Sequence, residues 1–99
     1  MAIVEISVVP LGTKAPSVSR YVARAIKILE KQKDIGYEIT AMGTIIEGDL
    51  DRILAVVRKM HEETFGDGVS RVVTTVKIDD RRDKAQSMKG KVDSIKKKL

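Results

Sequence analysis

A chain of 99 residues, 42% of them hydrophobic and none of them cysteine, is the length of one domain (residues 1–99). It has no means to build a disulfide framework, a thiolate zinc site or a cysteine nucleophile. Only Tyr21, Tyr37 and Phe65 are aromatic, so the core must come from Ile, Val, Leu, Met and Ala, and a core that thin gains from association. The net charge of +5 sits at one end: residues 81–99 hold eight Lys or Arg against two Asp, and residues 1–80 hold eleven basic against twelve acidic, which argues against the whole body being a nucleic-acid binder.

The segment Ala2–Val9 alternates, with Ala2, Val4, Ile6 and Val8 on one side and Ile3, Glu5, Ser7 and Val9 on the other. The N-terminus enters this strand pattern directly, with no signal-peptide pattern, and no apolar run approaches the roughly 20 residues of a membrane span. The cytoplasm is therefore the expected compartment, and no membrane partner is expected. Pro10-Leu11-Gly12-Thr13 should end the strand. Pro16 suits a first helical turn, and Val18, Tyr21, Val22, Ala25, Ile28 and Leu29 recur at helical spacing to about Lys33. After a break at Asp34–Gly36, Tyr37–Met42 reads as a second strand, Gly43 as a turn or bulge, and Thr44–Gly48 as a third strand. Asp49 is a candidate N-cap for a second helix whose inner stripe is Leu50, Ile53, Leu54, Val57, Met60, His61, Thr64 and Phe65. Gly66 and Gly68 stop it, Ser70–Ile78 is a fourth strand, and a last, lysine-rich helix begins near Ser87.

The order strand, helix, strand, strand, helix, strand predicts an α+β fold, a ferredoxin-like βαββαβ sandwich with an additional C-terminal helix. Residues 82–99 form its basic helical extension. With Val4, Ile6 and Val8 under the helices, the opposite sheet face carries Glu5, Ser7, Val9, Glu38, Thr40, Met42, Ile45, Glu47, Val73, Thr75 and Lys77. A face that mixed and that apolar suggests a partner, most simply a second sheet of the same kind.

Three pieces of the chain, Pro10-Leu11-Gly12-Thr13, Met42-Gly43-Thr44 with Glu47-Gly48, and Thr74 through Asp83, resemble the small thiamine-binding protein family. The similarity extends over nearly the whole chain, including the final helix. It implies a ferredoxin-like fold, a homotetramer built as a dimer of dimers, and binding of thiamine or its hydroxymethylpyrimidine half as ligand, with no cofactor.

Thiamine presents a cationic thiazolium, an aminopyrimidine and an alcohol. Its pocket needs an acceptor for the exocyclic amine, donors for the ring nitrogens and flat apolar walls. Glu47, Thr44, Ser7 and the backbone near Gly43 supply the polar groups; Met42 and Ile45 supply walls. Alternatively, Glu47 is an exposed strand residue or pairs with Lys77 across a subunit contact. Ser17 and Ser19, at a helix start, either receive a phosphorylated ligand or serve as ordinary caps. Asp79, Asp80 and Asp83 invite a cation, but lack an ion-loop spacing and are interleaved with Arg81 and Arg82, which favours ion pairs. His61 has no partner for a metal site and suits the edge of the core. No catalytic constellation or phosphate-binding glycine loop emerges. The expected function is therefore non-enzymatic ligand binding. The competing readings are a structural or regulatory homo-oligomer, and an adaptor that grips nucleic acid or an acidic partner through the basic C-terminal helix.

Overall fold

The computed structural model describes residues 1–14 and 18–99. Its elements are β1 (Ala2–Leu11), α1 (Ser19–Glu30), β2 (Gly36–Ile39), β3 (Thr44–Gly48), α2 (Leu50–Glu63), β4 (Arg71–Asp80) and α3 (Met88–Lys96). The strands form one antiparallel sheet in the order β2-β3-β1-β4, the arrangement of a ferredoxin-like sandwich. Alternation decides which face is covered. Val4, Ile6 and Val8 of β1 and Ile46 of β3 turn the same way and meet Ala25 and Leu29 of α1 and Ile53, Val56, Val57 and Met60 of α2. The cluster is aliphatic, with Tyr37 packed at its margin. Asp49 caps α2 by accepting from the Arg52 amide at 3.2 Å, satisfying one of the orphan donors of the first turn.

Four elements, β1, β2, α1 and β4, end two or three residues from the expected position. β1 continues through Pro10 to Leu11. A proline is tolerated there because β3 accompanies β1 only as far as Ile6, so β1 has a single neighbour at Pro10. β2 ends at Ile39 rather than Met42, because the Thr40 hydroxyl takes over the next backbone groups: it accepts from the Met42 and Gly43 amides and donates to the Gly43 carbonyl at 2.7 Å. α1 stops at Glu30, short of Lys33, where the Lys31 and Gln32 amides bond to carbonyls three residues back. β4 runs two residues past Ile78, to Asp80, opposite Ala2. Pro16, expected in the first helical turn, lies outside the described residues.

On α2 the buried stripe is Ile53, Val56, Val57 and Met60. Leu54, expected inward, is 41% exposed because it flanks that stripe, and Phe65, 39% exposed, lies past the end of α2.

The uncovered sheet face follows from the register. Leu11 stands opposite Arg71, Val9 opposite Val73, Ser7 opposite Thr75, Glu5 between Ile45 and Lys77, and Ile3 between Glu47 and Asp79. The N-terminus of α3 docks at the Ile3 end. Glu47 accepts from the Met88 amide at 2.8 Å, Lys91 reaches Asp79 at 2.7 Å, and the Gln86 amide donates to the Asp79 carbonyl at 3.0 Å. Ser87 caps the helix at the Gly90 amide. No residue of α3 is buried; Val92 and Ile95 are 48% and 62% exposed.

Candidate functional site

The cavity begins where a strand loses its neighbour. β3 pairs with β1 from Gly48 opposite Ala2 to Thr44 opposite Ile6, and Ser7–Leu11 continue beside β4 alone. The β2–β3 turn and the start of α1 close in around the gap. The turn is fixed by the Thr40 hydroxyl and by a Thr40 amide to Gly43 carbonyl bond of 2.9 Å. Gly43 is required by close approach: a Cβ there would lie 3.0 Å from the Ile6 carbonyl oxygen and 3.6 Å from Glu5 Cγ.

The result is a cavity of about 200 Å³. β1 contributes Ile6, Ser7, Val8 and Val9; the α1 side contributes Val18, Val22, Ala25 and Ile26; the turn and its flanks contribute Ile39 through Thr44, and Met60 closes the base. Ser7, Thr40 and Thr44 are the polar residues that border it, and among the described residues no charged residue does. Thr40 is committed to its turn and Ser7 alternates onto the uncovered face, leaving the Thr44 hydroxyl and the local peptide groups to face a guest. The volume exceeds the roughly 150 Å³ of an apolar cavity that admits benzene, and falls below the roughly 300 Å³ at which pockets for larger ligands begin. It suits one six-membered ring. Met42 at 86% exposed and Ile39 at 59% stand at the mouth.

Of the residues singled out in the sequence, Ser7, Met42, Gly43 and Thr44 come together at this cavity. Ile45 and Glu47 do not line it. Ile45 lies on the uncovered face beside Glu5, and Glu47 is engaged with the first amide of α3. Ser19 borders a separate polar hollow with Gly12, Lys14, Arg20 and Asp67, and Ser17 lies outside the described residues. In that hollow Arg24 pairs with Asp67, holding its carboxyl below the ordinary carboxylate range, and the Arg20 and Arg24 guanidinium groups stand 4.9 and 5.5 Å from the Tyr21 ring centroid. Sequence reasoning missed the α1 wall, because Val22, Ala25 and Ile26 at helical spacing carry the same signal whether they pack on a core or line a cavity. It also passed over Thr40, whose turn chemistry was the available signal, and Glu5, the acid whose side chain lies against Gly43.

The remaining candidates have structural partners. Asp79 is held by Lys91, Asp80 by Arg82 and Asp83 by Arg81. His61 Nδ1 is 2.6 Å from the Thr74 hydroxyl and stacks edge-on against Phe65. Among the described residues no cluster of His, Asp or Glu has the arrangement of a metal site, and no helix is long and apolar enough to cross a membrane.

A UPF0045 protein of Bacillus subtilis, YqgV, is 45% identical over the full chain and 98% of its own length. The crystal structure of the hypothetical protein MJ1052 of Methanocaldococcus jannaschii superposes with a TM-score of 0.88 at 43% identity, covering 96% of this chain and 95% of that one. A candidate thiamine biosynthesis/salvage protein of Thermotoga maritima shares the fold, with a TM-score of 0.77 at 22% identity over 95% and 97% of the two chains. The family model described as thiamine-binding protein matches residues 4–96, and with it the chain belongs to the thiamine-binding protein family.

Proposed function

We propose that the protein is a non-enzymatic binder of thiamine or its hydroxymethylpyrimidine precursor, and that the pyrimidine is the part it encloses. The observation that carries this is the cavity between β1, α1 and the 40–43 turn: apolar, sized for one ring, and bordered by Thr44 with the β1 edge at Ser7. Aliphatic walls fit a flat heteroaromatic ring, and hydroxyls can both accept from its amine and donate to its nitrogens. The thiazolium of intact thiamine then lies outside the cavity. On the uncovered face it meets Glu5, the nearest acid to Gly43, which can balance its charge. Calorimetric titration with thiamine, hydroxymethylpyrimidine and the isolated thiazole alcohol tests this. The first two should bind and the third should not. A Val22→Phe variant, which fills the cavity with a ring of its own, should bind none. Binding of the thiazole alone, or unimpaired binding by that variant, would remove the proposal.

The same protein is proposed to work in the cytoplasm as a homotetramer, a dimer of dimers. Support comes from the mixed uncovered face and from Val92 and Ile95, apolar residues on α3 that are 48% and 62% exposed in the monomer. The adaptor reading is weakened by the tail's own chemistry: Arg81, Arg82, Lys89 and Lys91 are each paired with an aspartate of this chain. Val92 and Ile95 changed together to Asp should lower the mass seen by light scattering, because two buried charges would lack partners. An unchanged mass would exclude α3 from the assembly.

A further inference from the structure

Pro10 fixes which way the backbone of β1 points. In an antiparallel sheet a strand's residues turn their N–H and C=O alternately to one neighbour and to the other. The ladder with β4 runs unbroken through Pro10 opposite Val72 and on to Leu11 opposite Arg71. Proline has no N–H, so an unbroken ladder places it at a position that does not bond to β4. The odd residues of β1 therefore exchange hydrogen bonds with β4, and the even ones turn their peptide groups to the β3 side. The approach of Gly43 agrees: a Cβ there would lie 3.0 Å from the Ile6 carbonyl oxygen. Ala2, Val4 and Ile6 stand opposite Gly48, Ile46 and Thr44 of β3. Val8 is the next even residue, and the pairing with β3 has ended. Its N–H and C=O thus face the gap that the cavity fills. Val8 lines that cavity and is 6% exposed. Among the described residues, no turn, loop or side-chain group bonds to either atom. Buried backbone donors and acceptors are nearly always paired, so this peptide group marks where a guest must supply the partners.

On the ring-binding reading above, we infer that the Val8 peptide group is the recognition edge of the cavity. Its N–H donates to a ring nitrogen, and its C=O accepts from an amino group on the adjacent carbon. A strand residue presents donor and acceptor side by side, as it would to a facing strand. The complementary ligand edge is a cyclic amidine, N=C–NH2, in a single flat ring, and an aminopyrimidine carries one. The aliphatic wall then selects size and flatness, while the main chain reads the chemistry. A ring without the amino group leaves the Val8 carbonyl unpaired. A ring with CH in place of that nitrogen leaves the N–H unpaired. Sites built to hydrogen-bond a ligand reject analogues that lack the matching group.

Hydrogen exchange of the wild type, read residue by residue by NMR, tests the geometry. Without ligand, the Val8 amide should exchange roughly tenfold or more faster than the Val4 and Ile6 amides. Saturating hydroxymethylpyrimidine should slow Val8 to their level. Calorimetry tests the chemistry with two analogues of hydroxymethylpyrimidine, one without the amino group and one with CH for the ring nitrogen beside the amine-bearing carbon. Each should bind roughly tenfold or more weakly than the parent. Val8→Pro deletes an N–H that β4 does not use, as Pro10 does in the natural chain, and its circular dichroism should remain native. In that variant the CH analogue and the parent should bind within about twofold of each other, because the donor they differ over is gone. Val8→Ala, which keeps the peptide group, should retain the discrimination. The exchange and analogue measurements use the wild type, so they decide even where Val8→Pro does not fold. Hydroxymethylpyrimidine that binds without protecting Val8, or a CH analogue that binds as tightly as the parent, would overturn the assignment and leave the ring-binding reading standing. No binding by any of the pyrimidines would remove both.

Discussion

The two halves of β1 share one alternation and have different fates. Ala2–Ile6 runs between β3 and β4, and its inward residues Ala2, Val4 and Ile6 are no more than 2% exposed. Ser7–Leu11 runs beside β4 alone, and its outward residues Val9 and Leu11 are 39% and 37% exposed. The inward pattern persists, since Val8 is 6% exposed, but the space a longer β3 would have filled is left to the 40–43 turn and α1. An apolar alternation builds core where the sheet is continuous and walls a cavity where a neighbour stops. Val8 keeps its place in the core, while the open edge of Ser7–Val9 borders the cavity.

Truncating one residue beside each half should separate stability from affinity. Ile46, on β3 opposite Val4, is fully buried. Ile46→Ala should cost about 2–5 kcal/mol, as buried Ile truncations do, and should leave affinity for the pyrimidine nearly unchanged in the folded fraction. Val9→Ala should cost less than about 1 kcal/mol, since the side chain is partly exposed, yet should weaken ligand binding. Urea unfolding and calorimetry read the two quantities separately. If the stability cost and the affinity loss fall on the same variant, the division of β1 is wrong.

Gly43 stands at the boundary between the halves. Its hydrogen faces the Ile6 carbonyl oxygen, where a Cβ would lie at 3.0 Å, and that carbonyl belongs to the sheet and cannot move freely. Gly43→Ala should therefore cost about 1–3 kcal/mol through overpacking, and should lower affinity because the turn must shift away from β1. Equal stability with unchanged affinity would show that the turn can slide without disturbing the cavity.

Much of the fold was legible because its signals are local. Thr44–Gly48 alternates over its whole length, and the cap at Asp49 follows at once; both appear where expected. The end of β2 was not legible from alternation, because Thr40–Met42 keeps the strand pattern while the Thr40 hydroxyl builds a turn. The site was half legible. Ser7 and the 42–44 segment were found as polar and small residues on strands. Glu47 looked equally available, and its actual partner, the Met88 amide, lies 41 residues away, a distance that no local pattern encodes. The α1 wall was hidden for the opposite reason, since its residues are ordinary helix-stripe aliphatics.

A smaller effect separates the turn from the strand beneath it. The Thr40 hydroxyl makes three hydrogen bonds within its own turn. Thr40→Val keeps the shape and the Thr40 amide's bond to the Gly43 carbonyl but leaves two amides to partly exposed solvation, for about 0.5–1.5 kcal/mol. Amide exchange should speed up at Met42 and Gly43 and stay slow in Ala2–Ile6. Faster exchange throughout β1 would mean that the turn and the sheet open as one unit.

The smallest effect concerns the placement of α1, the cavity's outer wall. Arg24 of α1 donates to Asp67, beyond the end of α2, and depresses the Asp67 carboxyl; Asp34, Asp79 and Asp83 are lowered likewise by Arg52, Lys91 and Arg81. A carboxyl whose pKa is lower folded than unfolded adds stability that is fully present above the unfolded value, about 3.9, and that stability is lost as pH falls through the folded value. The melting temperature should thus be flat from pH 7 to about 5 and decline below about 4. These groups are exposed, so solvent screening keeps the decline shallow. Asp67→Asn should start slightly below the wild type at pH 7, with the gap closing as the acid limb is reached. The pair faces the polar hollow, on the other side of α1 from the ring cavity, and hydrophobic packing of Ala25 and Leu29 already fixes the helix. Ligand affinity at pH 7 should therefore be the same in Asp67→Asn and wild type. A several-fold loss would mean that a surface ion pair, and not the interrupted sheet with its aliphatic packing, sets the shape of the cavity.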